Sequence, residues 1–309
     1  MTVGLIDVDG HNFPNLALMR ISAYHKAIGD QVEWWLGDLF HYDIVYMSKV
    51  FSDTYSKDMP EPLNTDRVIK GGTGYHIHMA DGKEYLDDSH DDLPIEIESM
   101  FPDYSIYPKF KYAVAMTSRG CPRGCAFCHV AAKEGRRCRK VANVSDFWSG
   151  QKEIKVLDPN ITACREKKGL FEQYIETNAY IDFTQGLDIR LLNEYDIEMI
   201  NRMKLKEIHF AWDNPKDDLE EKFKQYAKHA KHKPHGKYGT VYCLTNFNSS
   251  LSEDLHRIYV LRELQFDPYI MIYNKQEAPD EVRLLQRWVN NKQVFRTVDR
   301  FEDFDRRMA

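Results

Sequence analysis

Thr117-Ser118-Arg119-Gly120-Cys121-Pro122-Arg123-Gly124-Cys125-Ala126-Phe127-Cys128-His129 is the stretch from which the fold is read. It gathers three of the chain's six cysteines in a C-x3-C-x2-C spacing. Six cysteines so unevenly placed do not make a disulfide scaffold. Gly120 and Gly124 let the loop take backbone angles that side chains forbid, so its N–H groups can point at the sulfurs. Three local thiolates leave one position of a metal centre open, which a catalytic site needs and a structural site avoids. The apolar run Tyr112-Ala113-Val114-Ala115-Met116 precedes them and reads as a buried parallel strand.

Working outward, the same unit recurs downstream. Glu153 to Leu157 leads into Asp158-Pro159-Asn160, Ala179 to Thr184 into Gln185-Gly186-Leu187-Asp188, and Glu207 to Trp212 into Asp213-Asn214-Pro215. Thr240 to Leu244 and Pro268 to Tyr273 follow, with helical segments between them. Six strand–loop–helix units are too few for an eight-stranded barrel, so a partial (β/α)6 TIM-type barrel is predicted. Polar residues sit just after each strand, on the rim where parallel α/β folds place ligands. Upstream, Val3 to Val8, a helix after Pro14, Gln31 to Trp35, Asp43 to Met47 and Arg67 to Lys70 alternate as in a small doubly wound, Rossmann-like domain. Domains are therefore expected over 1–105, 106–290 and, as a C-terminal helical tail, 291–309, with a linker at Asp87 to Pro102.

Composition narrows the class. The chain has 309 residues, 43% hydrophobic and 29% charged, which excludes a disordered or membranous protein. It has no apolar run of about 18 residues and no basic-then-apolar leader, so a soluble cytoplasmic protein is expected, with no membrane partner. Its net charge of −6 disfavours a nucleic-acid partner without excluding a local basic patch.

The cysteine spacing, with the aromatic Phe127 before the last cysteine, resembles the signature of the radical S-adenosylmethionine superfamily. The resemblance implies a [4Fe–4S] cluster on Cys121, Cys125 and Cys128 whose open iron chelates S-adenosylmethionine and cleaves it to a 5′-deoxyadenosyl radical. It also implies a reductant such as flavodoxin or ferredoxin. Asp158 and Asn160 fall where the family meets the amino group of S-adenosylmethionine, and Asp188 and Arg190 where it meets the ribose or carboxylate. Trp212, Asp213 and Asn246 could face cofactor or substrate.

The N-terminal part resembles the cobalamin-binding domain of one branch. Asp9-Gly10-His11, Ser48-Lys49-Val50 and Gly71-Gly72 stand at the matching places, although Pro14 and Val50 depart from the pattern. The resemblance makes cobalamin a candidate cofactor with His11 as its axial ligand, and cobalamin-dependent methylation a candidate reaction. The substrate is not legible.

Plainer readings stand beside these. Asp158 could cap the next helix, and Asp188 and Arg190 could form a local ion pair. Cys138, Cys164 and Cys243 read as small buried hydrophobes. The basic segment 228–237 reads as a solvated helix end, and Phe295 to Phe304 as an amphipathic helix covering the open barrel. Two other classes remain: a non-catalytic iron–sulfur electron-transfer protein, and a zinc-stabilised binding module. Zinc on Cys121, Cys125, Cys128 and His129 is disfavoured because adjacent Cys128 and His129 rarely reach one tetrahedral ion.

Overall fold

Side chains alternate across a strand, so Thr2–Asp7 sends Val3 and Leu5 to one face and Ile6 to the other. Both faces are buried: Val3 and Leu5 pack with Leu18, Ile21, Ile44 and Ile97, and Ile6 packs with Val8, Tyr42, Val45 and Met47. In the computed structural model, which describes residues 1–10, 13–80, 83–87 and 93–308, the chain divides into two compact units. Unit 1 comprises Met1–Ala115, Gly120–Arg137 and Ala142–Lys152; unit 2 comprises Met116–Arg119, Cys138–Val141 and Glu153–Ala309.

Unit 1 contains β1 (Thr2–Asp7), α1 (Leu16–Ala27), β2 (Gln31–Trp34), β3 (Ile44–Ser48) and β4 (Val68–Gly71). After them come the hairpin β5 (Ile77–Ala80) and β6 (Lys83–Leu86), then α2 (Ile95–Glu98), β7 (Ala113–Ala115) and α3 (Val130–Glu134). Strands β1 to β4 form a parallel sheet in the order β2-β1-β3-β4. Asn15 caps α1 through an Oδ1 that accepts from Leu18 N at 3.1 Å. The stretch read as a linker holds α2, because Ile97 supplies an apolar anchor for the first core.

The loops after β3 and β4 close on each other. Lys49 N donates to Gly71 O at 3.0 Å and Gly74 N to Lys49 O at 2.9 Å. Gly72 has φ +100°, and a Cβ there would lie 2.3 Å from the Lys49 carbonyl oxygen. Of the Gly71-Gly72 pair read as part of a cobalamin motif, Gly72 thus serves a close approach of two backbone segments, whereas a Cβ on Gly71 would meet nothing within 4 Å. Asp9 accepts from Val50 N and Phe51 N, and His11 lies outside the described residues.

Unit 2 opens with the short antiparallel pair β8 (Ser118–Arg119) and β9 (Arg139–Lys140). There follow β10 (Glu153–Val156), α4 (Lys167–Thr177), β11 (Tyr180–Leu187), α5 (Glu194–Arg202), β12 (Lys204–Ala211) and α6 (Glu220–His229). The series ends with β13 (Thr240–Thr245), α7 (Leu251–Glu263), β14 (Asp267–Ile272), α8 (Asp280–Asn290) and α9 (Lys292–Thr297). Strands β10 to β14 pair successively and in parallel, in chain order. The order is linear, ending at β14, and the strands do not close. No closed TIM-type barrel is formed among the described strands: they make an open parallel sheet whose edges do not meet.

One face of this sheet is apolar. Ile154, Val156, Ile181, Phe183, Ile208, Phe210, Val241 and Ile270 are buried there, with Phe171 of α4 against Phe183 and Phe223 and Tyr226 of α6 against Phe210. The opposite face carries Lys155, Asp182, Glu207, His209, Tyr242 and Tyr269. The tail does not cover this face. Phe295 and Phe301 pack on Trp288 of α8, and Phe301 N donates to Tyr259 Oη of α7 at 3.1 Å, because the aromatic residues find their apolar partners in the helical layer. Among the described residues no helix is long and apolar enough to cross a membrane.

Candidate metal site

The rim loops of unit 2 form hydrogen-bonded networks. Asp158, buried after β10, accepts from Thr117 N at 3.0 Å, from Thr117 Oγ1 at 2.9 Å and from Ser118 N. It thus reaches back to β8, and the capping role falls to Asn160, whose Oδ1 accepts from Thr162 Oγ1 at 2.7 Å and Ala163 N at 3.2 Å. Thr162 Oγ1 accepts in turn from Asp188 N at 3.2 Å. Asp188 Oδ1 accepts from Arg190 Nε at 2.6 Å, and Arg190 also pairs with Asp217. Asn160, Asp188 and Arg190 are therefore brought together as one chain of contacts. Trp212 is core, stacked on Phe223, and Asp213 and Asn246 bond neighbouring rim backbone at Leu244 N and Tyr273 O.

Burial pushes Asp158 up to about 6, against the opposing hydrogen bonds from Ser118 and Thr117. An acid raised above its unfolded value contributes stability that is full below pH ~4 and is lost as pH rises through about 6. Asp158→Asn removes that titration and sets an amide donor against the Thr117 or Ser118 N–H. The expected cost is about 1–3 kcal/mol at pH 5, shrinking by pH 7. Urea unfolding at the two pH values checks it, and a deficit that grows with pH would refute the account.

The cysteine loop lies in unit 1. Cys121 N donates to Gly135 O at 3.1 Å, Cys128 N to Cys125 O at 3.0 Å and Gly120 N to Glu134 Oε2 at 3.0 Å. Gly120 has φ +88°, and a Cβ there would stand 2.3 Å from the Arg137 carbonyl oxygen. Cys121, Cys125 and Phe127 are half-buried and Cys128 is exposed. Cys138, Cys164 and Cys243 are buried in unit 2, where desolvation pushes the Cys164 and Cys243 thiols up to about 12.

Among the described residues, two sets of three donor atoms lie within 4.8 Å of one another: His41, Asp43 and Asp66, and Asp182, Glu207 and His209. The three loop thiols compose no such group. The convergent donors are oxygen and imidazole nitrogen, which suit a divalent cation, whereas an iron–sulfur cluster takes thiolates. The [4Fe–4S] centre expected on Cys121, Cys125 and Cys128 is corrected on this ground. Radical catalysis, S-adenosylmethionine and cobalamin as cofactors are withdrawn with it.

The second set is the better built. Asp182 on β11 stands in register with Glu207 on β12, and His209 follows two residues later on the same strand. Asp182 is buried; its Oδ2 takes Lys155 Nζ at 2.6 Å while its Oδ1 has no hydrogen-bond partner. That free oxygen lies 3.9 Å from His209 Nε2, which is 3.6 Å from Glu207 Oε2. A tetrahedral zinc ion with bonds of 2.0–2.2 Å spaces its donors by about 3.4 Å, so small side-chain shifts would seat one. The His209 ring stacks on Tyr242 at 5.3 Å and 18°. Burial lowers the His209 pKa, against the pull of Asp182 and Glu207, and so favours the neutral imidazole that binds metals. His41 and Asp66 are exposed and Asp43 is half-buried, and none of the three has a comparable buried, unpartnered oxygen.

Asp182, Glu207 and His209 escaped the sequence reading because they follow no short motif. A signal was present: titratable side chains recur at 155, 182, 207 and 209 inside parallel strands that are normally apolar throughout.

No family model matches the chain. It is 29% identical to an uncharacterized methyltransferase of Pyrococcus horikoshii, over 36% of this chain and 27% of that protein. The matched segment thus spans about a quarter of the relative's length.

Proposed function

We propose that this protein is a metal-stabilised binding module that holds a divalent cation, zinc by its donor chemistry, on Asp182, Glu207 and His209. The observation that carries this reading is the buried, unpartnered Oδ1 of Asp182 beside His209 Nε2. A desolvated carboxylate oxygen without a donor is costly, and a cation meets that need. Three protein ligands leave a fourth position for an exogenous ligand. Lys155 on the other carboxylate oxygen and Tyr242 against the imidazole would hold the donors in place, as outer contacts do at metal sites.

The test is titration of the chelator-treated full chain with Zn²⁺, read by calorimetry and thermal unfolding. One site is expected, with Asp182→Asn and His209→Ala each weakening it about 100-fold. At a hundredfold excess over Kd, zinc should stabilise the wild type by about 2.7 kcal/mol. Zinc binding that survives both substitutions but is lost in Cys125→Ser would place the ion on the thiol loop and overturn the assignment.

A second reading, methyl transfer, is favoured by the partial match to the Pyrococcus methyltransferase. A cation at this site would then lower the pKa of an accepting oxygen or nitrogen. Methyl transfer undiminished in His209→Ala would remove the metal from that reading.

A further inference from the structure

The open face of the unit 2 sheet continues past the three donors into an aromatic shelf. Parallel register places Tyr242 of β13 beside Tyr269 of β14, and Leu244 beside Met271. Tyr242 stacks on His209, and Tyr269 meets Tyr242 edge-on, with centroids 6.0 Å apart at 87°. Tyr269 and Met271 are each 42% exposed, although they lie on the strand that continues this face. The face therefore runs from charged donors, past the half-buried Tyr242, to the exposed ring of Tyr269 within about two strand spacings, or ~10 Å.

Charge fixes the polarity of what would lie there. With a divalent cation seated, the two carboxylates of Asp182 and Glu207 balance its charge. Glu153 lies 3.3 Å from Lys206 and 3.7 Å from Lys155, so these two cations share one further carboxylate. Excess positive charge remains at the cation end of the shelf. Resting on the metal reading above, we propose that this face binds a planar aryl carboxylate, its carboxylate on the cation and its ring against Tyr242 and Tyr269. A carboxylate completes the open coordination position, and offset or edge-on stacking suits rings in the Tyr242–Tyr269 arrangement.

The experiment uses the full chain loaded with Co²⁺, whose visible spectrum reports coordination, titrated with biphenyl-4-carboxylate and separately with acetate. The aryl carboxylate should bind at least 10-fold more tightly than acetate. Tyr269→Ala should reduce that preference to within twofold and leave Co²⁺ affinity unchanged. Equal affinity for the two anions, or a preference that Tyr269→Ala does not touch, would overturn the proposal while the metal reading stands. Failure to bind Co²⁺ at all would overturn both.

Discussion

Replacing Arg257 by alanine is expected to destabilise the protein by about 3–5 kcal/mol, measured by urea unfolding at neutral pH. Arg257 is fully buried on α7 and pairs with Asp254, which is itself only 2% exposed. Its guanidinium also donates to the carbonyl oxygens of Trp212, of Asp213 at 3.0 Å and of Leu244 at 2.9 Å. One side chain therefore satisfies the C-terminal ends of β12 and β13, the strands that carry His209 and Tyr242. Truncation would leave a buried carboxylate without its cation and three carbonyls without donors. Burial already raises the Asp254 pKa, with Arg257 acting against it. Without Arg257 it rises further, so the deficit should grow as pH increases and Asp254 ionises. Arg257→Lys should recover only part of the loss, since an ammonium cannot span the same fork of acceptors. A deficit below about 1 kcal/mol, or one independent of pH, would show that water replaces these contacts.

Trp288→Ala is expected to cost a similar 3–5 kcal/mol, for a different reason. Trp288 is fully buried on α8, with Phe295 at 5.0 Å, Phe301 at 5.7 Å and Tyr259 at 6.0 Å between centroids. Its Nε1 donates to Val298 O at 3.1 Å. Removing the indole opens a cavity and detaches the tail from the helical layer. Brief trypsin treatment should then cut within 292–308 in the variant and spare the wild type, because the backbone around the already exposed Arg296 and Arg300 loosens enough to enter the protease. Zinc affinity in the folded fraction should be unchanged, since the open face lies on the other side of the sheet. Equal trypsin resistance in the two proteins would mean that the tail docks without this residue.

Much of the secondary structure was legible because apolar runs ended by polar or glycine-rich residues are local signals. Val3 to Val8 became Thr2–Asp7, Glu153 to Leu157 became Glu153–Val156, and Arg67 to Lys70 became Val68–Gly71. The linker reading of Asp87 to Pro102 missed α2, a single helical turn that exists because Ile97 finds a distant core. The stretch Phe295 to Phe304 is not one helix: α9 ends at Thr297, and Phe295 and Phe301 pack on the helical layer. Its partners, Tyr259 and Trp288, lie on helices that sequence spacing does not relate to it.

The loop from Thr117 to His129 shows where the division falls. Sequence by itself determined that three cysteines and two glycines occupy one turn-rich segment after an apolar run, because those are properties of neighbouring residues. It likewise determined that the chain alternates strands and helices, since side-chain periodicity is local. Only the tertiary structure decided which donors converge. Asp182 and His209 meet through the register of two adjacent strands, and the orphaned oxygen between them results from burial. Register and burial depend on what packs on the far side of the sheet, and no short stretch of chain encodes that.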